Sequence, residues 1–117
     1  MKNQPKTYHL GYLIGPKINA GGRVGKSAFG AELLISDNQE KVDYLAKELN
    51  NFNEQRKKIE FELIQKIENE TKYSKDPILL IQGKDFHEGI IGIAASRIKD
   101  RYNKPCLIIS VNGKIGK

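Results

Sequence analysis

The strongest constraint in this 117-residue chain is a stretch free of helix breakers: no Gly or Pro occurs between Gln39 and Thr71. Within it Val42, Leu45, Leu49, Phe52, Ile59 and Leu63 recur at alternating spacings of three and four, with Arg56 in the one polar position of the stripe. Side chains three and four apart share a helix face, so the pattern predicts a single amphipathic helix, on the order of 48 Å long if unbroken. Asp37, followed three residues later by Glu40, has capping-box spacing at its start. A coiled-coil dimer fits less well, because only about three heptads are present and Arg56 interrupts the seam. A helix of this length in so short a chain is expected to bridge two globular parts.

The flanking sequence divides accordingly. Upstream, Gly11 to Asn19 is a short apolar segment broken by Gly15-Pro16, and Gly21, Gly22 and Gly25 predict a loop after it. Residues 27–35 then read as a short helix, with Ala28, Ala31, Leu34 and Ile35 at helical spacing. Downstream, Ile78 to Gln82 is a buried-type strand, 83–89 a loop, and 90–102 a helix with Ile90, Ile93, Ala94, Ile98 and Tyr102 as its apolar set. Asn103-Lys-Pro105 is a turn, and Cys106 to Ser110 a second buried-type strand. Strand, helix and strand with short connections imply a right-handed parallel unit. Asn112-Gly113 signals a hairpin turn into a strand barely begun at Lys117.

Composition narrows the function classes. Twenty Lys and Arg against fourteen Asp and Glu give a net charge of +6, which favours an anionic partner such as nucleic acid. The single Cys106 cannot form an intramolecular disulfide, and two His residues cannot assemble a Cys/His metal cluster, so a reducing cytoplasm is the natural compartment. No signal peptide is visible in the polar first ten residues, and no apolar run approaches the roughly 20 residues needed to span a bilayer. No membrane partner is therefore expected. The length leaves little room for a complete multi-motif nuclease or NTPase.

Three features are candidates for chemistry. Ala20-Gly-Gly-Arg-Val-Gly25-Lys26-Ser27 matches a relaxed phosphate-loop pattern, in which backbone N–H groups cradle phosphates, Lys reaches them and Ser holds Mg²⁺. Its context is wrong: Pro16-Lys-Ile-Asn19 stands where a buried strand is needed, and neither downstream strand ends in the required Asp. Asp85-Phe-His87-Glu88-Gly89-Ile-Ile-Gly92, continuing to Ser96 and Arg97, places His87 between a strand and a helix, where parallel sheets put ligand contacts. Taken alone, His87 as a helix cap and Arg97 on a solvated face explain those residues as well. The run Arg56-Lys-Lys58 reads as a solvated face and is assigned no chemistry.

Four segments together carry a resemblance. Gly15-Pro-Lys-Ile-Asn-Ala-Gly-Gly-Arg-Val-Gly25 resembles the Gly-Pro-Arg-Ile-Asn-Ala-Ala-Gly-Arg segment of the RecJ single-stranded-DNA-specific exonucleases, members of the DHH phosphoesterase superfamily. Glu32-Leu-Leu-Ile-Ser-Asp37, Leu49-Asn-Asn-Phe-Asn-Glu-Gln-Arg56 and His87-Glu-Gly-Ile-Ile-Gly-Ile-Ala-Ala-Ser-Arg97 follow in that family's order. The resemblance implies an α/β fold in which a long connecting helix joins the C-terminal edge of a DHH domain to a partial βαβ DHH-associated domain, divided at 1–37, 38–75 and 76–117. It implies metal-dependent 5'–3' phosphodiester hydrolysis in DNA repair and recombination, with Mn²⁺ or Mg²⁺ held in the full-length family by residues this sequence does not contain: the Asp-His-His triplet is absent.

By the same resemblance Lys17, Asn19, Arg23, His87 and Arg97 are expected to contact single-stranded DNA, and no residue is assigned as catalytic base or metal ligand. Lys17 stands where the family has Arg, which keeps charge but loses bidentate phosphate geometry, and Gly21 replaces Ala. The reading is a fragment inactive alone, with the N-terminal DHH part and the C-terminal part as possible separate chains and self-association through uncovered apolar surface. A non-enzymatic nucleic-acid-binding or interaction module is the alternative, and a P-loop nucleotide-binding protein a weaker one.

Overall fold

The computed structural model describes residues 4–71 and 74–117; residues 1–3 and 72–73 of the expected first and second parts lie outside them. The chain forms two compact units, Met1–Arg56 and Lys57–Lys117.

In the first unit a π-helical segment, His9–Ile14, runs directly into helix α1, Gly15–Val24, and a short turn leads to helix α2, Ala28–Ile35. Gly15-Pro16 therefore opens a helix instead of breaking a segment. Proline's missing N–H costs nothing in a first turn, and its fixed φ suits the helix. The expected glycine loop is likewise corrected, since Gly21 and Gly22 lie inside α1. Gly21 is buried, and a Cβ there would stand 2.9 Å from the Lys26 carbonyl oxygen and 3.0 Å from Leu49 Cδ2. Its small size lets α1 approach the helix that follows.

That helix, α3, spans Gln39–Thr71 without interruption, as the periodicity predicts. Its start is capped one residue later than expected. Asn38 Oδ1 accepts from the Lys41 N–H at 2.9 Å, while the Asn38 N–H donates to Ser36 Oγ at 3.3 Å. Asn is as good a cap as Asp, and the Ser36 contact orients it. An ion pair of 2.9 Å between Lys41 and Glu32 ties α3 to α2. Leu45 and Leu49 are buried with Ala20 in this unit, beside the half-buried rings of Phe29 and Phe52. Arg56 is not simply solvated: it is half-buried, and its Nε donates to Oδ1 of the buried Asn53 at 3.3 Å.

The second unit contains the remainder of α3, strand β1 (Leu79–Lys84), helix α4 (Glu88–Tyr102), strand β2 (Cys106–Asn112) and a short β3 (Ile115–Gly116). β1 pairs in parallel with β2 from Leu79 opposite Cys106 to Lys84 opposite Val111, and β3 returns antiparallel through the turn at Gly113, whose φ of +61° favours glycine. The parallel pairing and the hairpin follow the sequence reading. Leu63, Ile64 and Ile67 of α3 are buried, as are Leu79, Ile81, Ile90, Ala94 and Ile98.

The strands are not buried on both faces. Leu80 and Leu107, opposite one another in the ladder, are 66% and 57% exposed. Side chains alternate between sheet faces, so the same apolar runs that bury Leu79 and Ile81 leave this row uncovered among the described residues.

Replacing Asn38 with Ala should lower stability by about 1 kcal/mol, read as a lower urea midpoint, whereas Asp37→Ala should leave the midpoint nearly unchanged.

Candidate nucleic-acid interface

Three of the five expected contact residues lie on α1. Asn19 and Arg23, one turn apart, share an exposed face, and Lys17 is exposed about 160° round the helix from Asn19. Ala20 and Gly21 form the buried side of the same helix. A polar pair is thus held outward by the packing of its small neighbours.

The same geometry removes the basis of the phosphate-loop match. Ala20 to Val24 is helical, so its amides serve the helix, and the Gly25 N–H donates to the Gly21 carbonyl at 3.1 Å. Lys26 Nζ sits over the Phe29 ring, 5.2 Å from its centroid, and Ser27 makes no side-chain cap. A cradle of convergent N–H groups needs a loop where this chain has a helix.

The other two residues belong to the second unit. His87 is the N-cap of α4, its Nδ1 accepting from the Gly89 N–H at 3.2 Å. In a neutral ring the proton then resides on Nε2, an N–H donor. The loop carrying it is firmly held. Ser110 Oγ donates to the Phe86 carbonyl at 2.7 Å, the Phe86 side chain is 6% exposed, and Asp85 takes a φ of +58°. Gly83 makes room for this arrangement: a Cβ there would fall 2.1 Å from the Phe86 ring.

Arg97 lies ten residues further, about 15 Å along α4, and the structure does not bring it to His87. Its Nε pairs with Glu60, which is 4% exposed, while Arg101 pairs with Glu68. These pairs line an open groove of about 320 Å³ with Lys57 and Phe61. His87 lines a separate groove with Lys66 and Lys84, two residues the sequence reading did not single out. No local pattern marks them, since they meet only through the fold.

The acids present do not fit a metal centre. Glu32, Glu60 and Glu68 are paired with Lys41, Arg97 and Arg101, and no group of three or more His, Cys, Asp or Glu capable of holding an ion occurs among the described residues. Burial pushes the Cys106 thiol up, so its reactive thiolate is scarcer near neutrality than that of a free cysteine. No helix among the described residues is long and apolar enough to cross a membrane.

No family model matches the chain. Individual proteins do. It is 40% identical over 105 residues to the single-stranded-DNA-specific exonuclease RecJ of Haemophilus influenzae, covering 84% of this chain and 18% of that protein. It is 35% identical over 114 residues to the RecJ of Escherichia coli, covering 89% and 19%. The crystal structure of Thermus thermophilus RecJ with Mn²⁺ superposes with a TM-score of 0.87 at 25% identity, over 93% of this chain and 17% of that one. The chain belongs to the RecJ family. It spans less than a fifth of the length of those two curated relatives, by the 18% and 19% coverage. A further RecJ structure, bound to manganese, matches with a TM-score of 0.79 at 27% identity over 90% of this chain and 27% of that one. The α/β architecture with its long helix is therefore that of a RecJ segment.

Because Glu60 is nearly buried, Arg97→Ala should lower stability by about 1–3 kcal/mol through loss of a charge-assisted partner. Urea denaturation followed by circular dichroism reads this, and an unchanged midpoint would contradict a structural role for the pair.

Proposed function

We propose that this segment supplies single-strand-binding elements to a RecJ-type 5'–3' exonuclease and does not itself carry out hydrolysis. The observation that carries this reading is the outward Asn19–Arg23 face of α1, which falls within the segment resembling the family motif. The Arg23 guanidinium and the Asn19 amide are hydrogen-bond donors suited to phosphate oxygens, and contacts of this kind position a strand without reading its sequence. Lys17 adds charge on another side of α1. His87 offers its Nε2–H from a loop fixed by Phe86 and Ser110, and Arg97, already engaged with Glu60, is the weaker of the two candidates.

The metal-activated water that attacks the phosphodiester would be held by acids outside this sequence, in the N-terminal DHH part, with the C-terminal part completing the enzyme. Those parts belong either to the same polypeptide or to separate chains. The division proposed at 1–37, 38–75 and 76–117 assigns the α1 contacts to the edge of the DHH domain and the His87 loop to the associated domain. A binding module without nuclease partners is the second reading, equally compatible with the lack of a cluster of three or more metal-ligating side chains among the described residues. Nuclease activity restored by adding the missing parts separates the two.

Fluorescence anisotropy with a labelled oligothymidylate tests the binding role. Affinity should fall linearly on logarithmic axes as salt rises, and Arg23→Ala should weaken binding and flatten that slope by about 0.7, the value per phosphate contact for a single strand. An unchanged affinity and slope in a folded Arg23→Ala variant would contradict the assignment.

A further inference from the structure

The groove beside His87 has a composition that the five expected contacts leave unused. Ile59, Leu63 and Phe86 give it an apolar floor, and Lys66 and Lys84 join His87 on its polar side. At about 220 Å³ and open to solvent, it falls below the range of about 300–1,000 Å³ usual for small-molecule pockets. A surface track for part of a polymer is the better match.

Lys66 and Lys84 face two lining acids, Glu62 and Asp85, and Lys58 just outside the groove offsets Glu62, which leaves one positive charge in excess. Neither Lys66 nor Lys84 pairs with a carboxylate among the described residues; Lys66 Nζ instead sits over the Phe86 ring at 5.1 Å from the centroid. That contact holds the ammonium group in place while leaving its donors available, which lowers the ordering cost of binding an anion. Lys84 is the last residue of β1, at the carboxyl end of a parallel strand, where ligands of such sheets bind. Two acids also line the groove. Glu62 is matched by Lys58 at 4.0 Å, which leaves Asp85 as the one carboxylate facing two lysines and the His87 N–H. The Arg97 and Arg101 groove is the opposite case, because both of its arginines are already paired with glutamates.

We propose that Lys66, Lys84 and His87 form a single phosphate-binding station for the backbone of single-stranded nucleic acid, with the two lysines as binding residues additional to those expected from the family resemblance. The inference rests on the nucleic-acid-binding reading above. Phe86 sets the station's geometry by seating Lys66, and Gly83 and Ser110 set Phe86.

The test is the salt dependence of oligothymidylate binding by the full 117-residue chain carrying Lys66→Met and Lys84→Met together. Methionine keeps an apolar stem over Phe86 while removing the charge. Loss of the one phosphate that the station neutralises should flatten the log–log slope by about 0.7, while Lys66→Arg/Lys84→Arg keeps the original slope. A Lys99→Met/Lys114→Met variant, with the same change in net charge outside the groove, should stay close to the unmodified chain. The proposal is overturned if the groove variant keeps the original slope, or if the control flattens it equally. A slope flattened by Arg23→Ala but not by the groove variant defeats this inference alone. Absence of binding by the unmodified chain defeats both it and the reading on which it rests.

Discussion

Everything in this structure depends on one uninterrupted helix. α3 contributes Leu45 and Leu49 to the core of the first unit and Leu63, Ile64 and Ile67 to that of the second, so both cores are built in part from it. Between those groups the buried positions turn polar, at Asn53 and Glu60, and each is engaged by an arginine, Arg56 or Arg97. Burying such groups is tolerable only when they are satisfied, and here they are. The stripe that resembles a coiled-coil seam is therefore divided between two small cores. Arg56 is the residue that marks the division in the sequence.

How much of this was legible depended on whether the deciding interaction was local. α3, α4 and the parallel strands were readable because apolar period and breaker placement act within each segment. Gly15-Pro16 misled because the same pair that ends a segment also starts a helix when proline takes its first turn. Gly21 misled because its reason for being small is Leu49, far off in sequence. The runs at 78–82 and 106–110 show apolar character but not whether one face or two will be covered, and Leu80 and Leu107 ended exposed. At the candidate site, the strand–helix junction marked His87 and the resemblance gave it a role, whereas Lys66 and Lys84 carry no local signal. They belong to the groove only because α3 and the β1–α4 loop pack together.

The chemistry divides along the same line. What the described residues offer is donors and cations: Asn19 and Arg23 on α1, His87 with Lys66 and Lys84 at the β1–α4 loop. What phosphodiester hydrolysis by metal-activated water requires is a cluster of acids and histidines, and no such group of three or more occurs among the described residues, where Glu32, Glu60 and Glu68 are paired with lysine and arginine. Binding and hydrolysis are separable tasks, and the role proposed for this segment, which matches 18% of a RecJ exonuclease, is the first.

The most direct measurement of that division is a nuclease assay on the purified 117-residue chain, using 5'-labelled single-stranded DNA with saturating Mn²⁺. The account predicts that the oligonucleotide is retained in a salt-sensitive complex and recovered at full length. Progressive Mn²⁺-dependent shortening of the strand by this chain alone would contradict it.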